Sequence, residues 1–431
     1  MPSLSNGRSP FSLFRSPEFA ALAAMNVASG MAFATIIIAL ALYADLFEAS
    51  GVVAGLFGTV YAAVRLVLVL PVGRYVDVGD AKRLLVVGMA LNVLVLVAFA
   101  FVTSVQQVVA LRGFQAVGSI IVYIAGTAIV GTIAAEGERG LWIGTYNQTS
   151  AFSSLAGDLL GGALLFFVGF QTTYGVLVVL SLIATAGVVA FVREQPGGAE
   201  RESDDTGIET LFALLRRRAV LALVVFRFAF SFGKMSVIIF LPIYARTDFA
   251  MTALLIGAVL AGGKLTKSVA QGYVGGLADR VGGYERFIVV GTLSYALGTA
   301  LIPLAPAAGL VLDPIELSLA GRETPIPPAF FALFLAYVIL GIGDSLRLPT
   351  SMALFVREGE YQEAVGGSLS LRSVSWQVGA VVGPTAFGLV LDAASFLVAF
   401  WVAAGFMLVA AAVFVVLYEE EGEPVGSAVA G

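Results

Sequence analysis

Twelve stretches of about twenty or more residues, almost free of charge and parted by short polar or Pro/Gly-rich breaks, constrain this chain more than any other feature. A helix crossing about 30 Å of hydrocarbon needs roughly 20 apolar residues. Inside a bilayer each backbone polar group must find its partner within the protein, which leaves helices or closed barrels. The stretches fall at 19–44, 52–76, 84–103, 105–134, 140–169, 172–192, 219–245, 252–278, 286–306, 328–356, 364–391 and 394–418. They are far too long for barrel strands of about 9–11 residues. Composition agrees, because 59% hydrophobic and 12% charged residues cannot cover a soluble surface, where about 25% are charged. The predicted class is an all-α membrane protein with twelve transmembrane helices. The first apolar stretch, beginning near Phe19, is longer than the 7–15 residues or so of a cleaved signal core. It is expected to stay as the first span.

Basic residues set the expected orientation, since Lys and Arg in short loops stay on the cytoplasmic side. Arg8, Arg15, Arg74, Lys82, Arg83, Arg139, Arg193, Arg201, Arg216–Arg218, Arg280, Arg286 and Arg357 share one side with both chain ends, while Arg246 and Arg322 fall on the other. Both termini are therefore expected in the cytoplasm, with the chain multi-pass in the cytoplasmic membrane. The longest break on that side, 193–217, divides a first half, 1–192, from a second, 218–431, which ends in an acidic tail. Thr206 and Glu209 read as a capping box opening a short amphipathic helix over Ile208–Leu215. The loop from Leu310 to Pro327 on the other side carries no readable chemistry.

The halves repeat. The register that pairs Asp77 with Asp279 also pairs Gly55 with Gly257, Gly73 with Gly275 and, within the spans, Arg65 with Lys267. Gly275-Gly-Leu-Ala-Asp279-Arg280-Val-Gly282 resembles the loop signature of the major facilitator superfamily, and Gly73-Arg-Tyr-Val-Asp77 resembles a degraded first copy. Arg112-Gly-Phe-Gln115 is similar to that family's R-x-x-Q element in the fourth span. Gly157-Asp158-Leu-Leu-Gly161-Gly162 is similar to the exporters' G-P-x-x-G-G element in the fifth, with Asp158 in place of Pro. The resemblance spans nearly the whole chain and implies two pseudo-symmetric six-helix bundles that move a solute by alternating access. It further implies that Gly73, Asp77, Gly275, Asp279 and Arg280 serve as gating loops, each Asp facing the N-terminus of a helix in the opposite half. It links Arg112 to proton coupling in exporters.

Charges inside spans are costly and ask for a partner or a cavity. Arg65, Arg112, Arg227, Lys234, Lys264, Lys267, Arg347 and Arg372 face two carboxylates, Asp158 and Asp344; the third, sixth, ninth and twelfth spans carry none. In the major facilitator fold these are the peripheral, lipid-facing spans. The residues expected to bind substrate or couple its movement are Arg65, Arg112, Asp158, Lys234, Lys264, Lys267, Asp344 and Arg347. Asp344 and Arg347, three apart on one helix, can also neutralise each other; the resemblance, which implies that the fifth and eighth spans lie side by side between the halves, implies that Asp158 can pair with Lys264. Arg227, near a span end, can extend its head group to water, and Arg372 reads as structural.

Two transport readings stand side by side. One is proton-coupled efflux of a small organic compound, with a carboxylate as proton carrier, because the chain holds neither His nor Cys. The other is uptake or exchange of an organic or inorganic anion held between Arg65 and Lys267. A non-transporting receptor or scaffold is the remaining class. No phosphate-binding loop, metal-ligand cluster or nucleophile with a base occurs, so neither enzyme activity nor a cofactor is expected. The expected partners are a small-molecule or ion substrate and membrane lipid, with no nucleic acid, and the chain is expected to act as a monomer.

Overall fold

The computed structural model describes residues 10–135, 138–194, 208–362 and 364–418, with the backbone alone for Ile208, Glu209, Gly272 and Asp279. The first half comprises α1 (Pro17–Leu46), α2 (Gly51–Val78), α3 (Ala81–Phe99), α4 (Val105–Ile133) and α5 (Arg139–Phe191). A short α6 (Ile208–Arg216) leads to α7 (Arg218–Thr247), α8 (Ala253–Val281), α9 (Tyr284–Leu301), α10 (Pro328–Glu360), α11 (Val365–Ala393) and α12 (Phe396–Leu417). At 53 residues, α5 would be about 80 Å long if straight. It is broken at Gly169, whose φ of 75° and ψ of −177° suit only glycine. The two limbs of α5 are the fifth and sixth spans, so the described residues make twelve crossings.

Local chemistry sets several helix starts. Ser50, Ser104, Thr252 and Ser395 stand just before α2, α4, α8 and α12, and each hydroxyl accepts a hydrogen bond from the N–H three residues on. Such N-caps occupy backbone donors that no helical carbonyl can reach. All four lie on the side away from α6, here the far side. The side bearing α6 is the linker side.

Packing follows the charge pattern. The main contacts of α3, α9 and α12 stay within their own half, and the second limb of α5 exposes Val176, Val179, Leu182 and Ile183 on its outer face. The halves meet chiefly through α2 against α11, α5 against α8, and α1 against α7. Glycine allows the close approach at the first two. A Cβ on Gly55 would lie 2.5 Å from the Pro384 carbonyl oxygen, and one on Gly257 would run into that of Asp158. These two glycines are partners in the sequence repeat.

Among the described residues, these cross-half contacts lie toward the far side. The Asp392 carboxylate, at the end of α11, accepts from the Gly51 and Val52 N–H groups that open α2. Arg246 pairs with Asp45 at 2.7 Å. The 310–327 loop, which carried no readable chemistry in the sequence, has structure of its own. After a 3-10 segment (Ile302–Leu310) it forms a hairpin, β1 (Ile315–Leu319) with β2 (Arg322–Ile326), turned by Ala320 and Gly321 at φ 50° and 78°. From this hairpin Arg322 donates to the Phe166 carbonyl at 2.6 Å, tying the second half to the first. On the linker side, by contrast, a Cβ on Gly73, Gly275 or Gly276 would meet nothing within 4 Å. The molecule is closed on the far side and parted on the linker side.

Candidate solute cavity and its charge network

Where α1, α5, α7, α8 and α10 converge and α9 reaches in with Tyr295, a cavity of about 210 Å³ remains. Its wall is part apolar (Phe33, Ile37, Ile238, Leu260) and part aromatic (Tyr295, Tyr337), with Ser154, Lys234, Lys264, Lys267 and Asp344 supplying polarity. Tyr337 packs where Gly263 leaves room, so α8 and α10 come close enough to bring their charged residues together.

Two ion-pair systems serve this wall. Asp158, on the first limb of α5, has no exposed surface, and Lys264 of α8 approaches its Oδ2 to 2.6 Å. Neither Asp158 oxygen gains a well-directed hydrogen bond, so charge holds the pair rather than hydrogen-bond geometry. It lies at the α5–α8 contact, on the seam between the halves. Asp344 of α10 is shared more widely: Lys234 pairs with it directly, Lys267 lies 3.6 Å away and Arg347 donates to Oδ1 at 3.0 Å. Three cations crowd one carboxylate because α7, α8 and α10 each turn a basic residue inward at the same depth.

The first half treats its cations differently. Arg112 is 1% exposed, donates from Nε to the Phe57 carbonyl at 2.8 Å and from Nη1 to Gln115, and sits 4.3 Å from the Tyr61 ring centre. The R-x-x-Q spacing thus forms one internal bond, one turn along α4. Arg65 donates to the Tyr61 hydroxyl and lies between the Tyr61 and Tyr123 rings, off the cavity wall. Of the two residues expected to clamp an anion, Lys267 lines this cavity and Arg65 does not. Lys267 already shares Asp344, and aromatic faces draw Arg65 aside. Repeat-equivalent backbone positions need not give equivalent side-chain directions, because the neighbouring residues are not repeated.

The gating residues sit on the parted side. Asp77 and Arg280 are exposed, and Gly73 and Gly275 have open space beside them. The Asp279 side chain lies outside the described residues. Asp80 does the local capping instead, accepting from the Arg83 N–H at the start of α3. One residue read differently in the sequence gains weight. Arg227 does not reach for water: it is 7% exposed, donates to the Arg372 carbonyl at 2.8 Å and stacks 4.9 Å from the Trp376 ring centre. Its single clue in the sequence was the shared helical face with Lys234, seven residues on.

The family model described as Major Facilitator Superfamily matches residues 22–321 and 223–430. The chain belongs to the major facilitator superfamily (MFS). An uncharacterized MFS-type transporter of Methanocaldococcus jannaschii is 20% identical over 82% of this chain and 86% of its own. Methyl viologen resistance protein SmvA of Salmonella typhimurium is 22% identical, covering 77% of this chain and 74% of that protein. Tetracycline resistance protein, class B, of Escherichia coli is 21% identical over 65% and 71%. Among solved structures, a peptide transporter POT in complex with sulfate superposes with a TM-score of 0.73 at 12% identity, over 95% of this chain and 98% of that one. A bacterial homolog to the human lysosomal transporter Spinster gives 0.70 at 15% identity, over 95% and 97%. These likenesses establish the MFS fold and a transporter rather than an enzyme.

Proposed function

We propose that this MFS transporter exports a small organic compound across the cytoplasmic membrane in exchange for protons, with both termini in the cytoplasm. The observation that carries this reading is the Asp158–Lys264 pair. Its carboxylate is fully buried, has one cationic partner, and sits on the seam that must part when access alternates. A proton delivered to Asp158 would discharge that pair and free Lys264, removing an attraction between the halves at a stage set by proton supply. Asp344, held among three cations, is less suited to the role and more suited to keeping Lys234, Lys267 and Arg347 together. With no His in the chain, a carboxylate is the natural carrier near neutral pH.

Three further observations support the reading. Basic residues crowd the linker-side loops, which favours that side as cytoplasmic, so the parted side would be the inward one. The G-D-x-x-G-G element stands where exporters carry G-P-x-x-G-G, and two relatives bear resistance names. The cation excess of the wall favours a second reading, exchange of an anion. Proteoliposomes separate the two: with an imposed pH gradient, cationic dyes or neutral organics should accumulate against their gradients. Asp158→Asn should abolish gradient-driven accumulation. Uphill movement that persists in Asp158→Asn, or wild-type flux indifferent to the gradient, would refute proton coupling through Asp158.

A further inference from the structure

Behind Asp344, toward the linker side, three arginines from three helices come together: Arg227 of α7, Arg347 of α10 and Arg372 of α11. Arg347 is fully buried and Arg227 nearly so. Arg227 lies near enough to feel the charges of both others, and Arg372 that of Arg347. Asp344 is the carboxylate within reach of Arg227 and Arg347, and it is already shared with Lys234 and Lys267. Like charges gathered in this way repel, and at this depth water screens them poorly.

Their hydrogen-bond donors tell the same story. Arg227 Nη1, Arg347 Nε and Nη1, and Arg372 Nε are all buried without an acceptor. Buried N–H groups are ordinarily bonded, and an orphaned charged donor costs more than a neutral one. Arginine is also the residue whose planar fork of donors matches an oxyanion. The flat faces of two guanidiniums are already covered, Arg227 by Trp376 at 4.9 Å and Arg347 by Phe230 at 3.8 Å from the ring centres. Stacking fixes each plane, and it leaves Nη1 of Arg227 and Nε and Nη1 of Arg347 without a protein acceptor.

We propose that Arg227, Arg347 and Arg372 form an oxyanion-binding site, filled by the carboxylate, phosphate or sulfate group of the transported solute or by a free inorganic oxyanion. Arg227 and Arg372 stand nearer the parted side than Arg347, which in turn contacts Asp344 on the cavity wall. The site thus lies between the linker-side opening and the cavity, where an incoming acidic group would pass. Binding of such a group would offset the repulsion among the three arginines and occupy their orphaned donors. It rests on the transport reading for its place on the solute path, but it can be measured without any flux.

Trp376 provides the probe, since it lies against Arg227 and is one of only three tryptophans. In a Trp142→Phe/Trp401→Phe background, purified protein is titrated at constant ionic strength with sodium sulfate, sodium phosphate, sodium succinate and sodium chloride. A saturable change in Trp376 emission is expected with at least one oxyanion. Its midpoint should weaken at least tenfold in Arg227→Gln and in Arg372→Gln. Arg372→Lys, which keeps the charge and loses the fork, should fall between. Response to succinate alone assigns the site to an organic solute's acid group; response to sulfate or phosphate at similar concentration assigns it to a free ion, and both support the site. Emission that never saturates with any oxyanion, or midpoints unmoved within twofold in Arg372→Gln and Arg372→Lys eluting as folded monodisperse protein, would overturn it. A chain that binds here yet moves no solute would fail the proteoliposome assay and still pass this one.

Discussion

Gly55→Ala should shift the resting conformation of this transporter. The added methyl carbon would lie 2.5 Å from the Pro384 carbonyl oxygen and 2.8 Å from both the Pro384 carbonyl carbon and Thr385 Cα. That is about 1 Å inside normal contact, and the obstacle is backbone, which cannot rotate away. Overpacking of this kind costs roughly 1–3 kcal/mol. The cost falls only on the state in which α2 and α11 touch at the far side. The gain in helix propensity, about 1 kcal/mol, accrues to both states and cancels. The equilibrium should therefore move about 5- to 150-fold toward far-side opening. The chain has no cysteine, so spin labels can be placed uniquely at Glu48→Cys and Ala394→Cys, exposed positions on far-side loops of opposite halves. Pulsed electron resonance should show a longer distance gaining population in Gly55→Ala. Gly257→Ala, at the repeat-equivalent α8–α5 contact, should act in the same direction. An unchanged distance distribution in both variants, with protein folded and monodisperse, would refute the view that these two contacts hold the far side shut.

The remaining predictions concern the ion pairs and the hairpin. Lys264→Gln leaves the Asp158 carboxylate buried and unpaired, so thermal unfolding in detergent should reveal a loss of roughly 3–5 kcal/mol, and Lys264→Gln/Asp158→Asn should recover most of it. A double variant as unstable as the single one would mean that the two groups do not compensate each other. Arg322→Ala removes the hairpin's bond to the Phe166 carbonyl, an exposed contact, and should raise far-side labelling by less than tenfold without altering substrate affinity. A change in affinity instead would place the hairpin on the solute path.

Much of the fold was legible in the sequence, and particular residues show why. Run length alone separates spans from loops, because hydrocarbon thickness sets a minimum helix length and hydrogen-bonding demand forbids irregular backbone there. Gly169 interrupts the apolar run between the fifth and sixth spans, and the structure turns at that residue. The silence of every third span reflects the cost of charge against lipid, and those spans do pack at the edge of their own halves. Pairs formed along one helix were also readable: Arg112 with Gln115 and Arg347 with Asp344 follow from three-residue spacing.

Tertiary structure alone decided which charges meet across helices. The sequence offered Asp158 to Lys264 as one possible pair, but nothing in it gave Asp344 to Lys234 and Lys267 as well. That depends on the rotation of α7, α8 and α10 about their own axes, set by packing at Gly263, Gly341 and Gly343 for α8 and α10 and at Gly379 and Gly383 for α7. Nor could the repeat foresee that Tyr61 and Tyr123 would draw Arg65 off the cavity wall while Lys267 reached it. Periodicity sets depth and face along a single helix, and hydropathy sets which face avoids lipid. The partner of a buried charge is chosen by the side chains that neighbouring helices turn toward it, and that choice is made only when the helices pack.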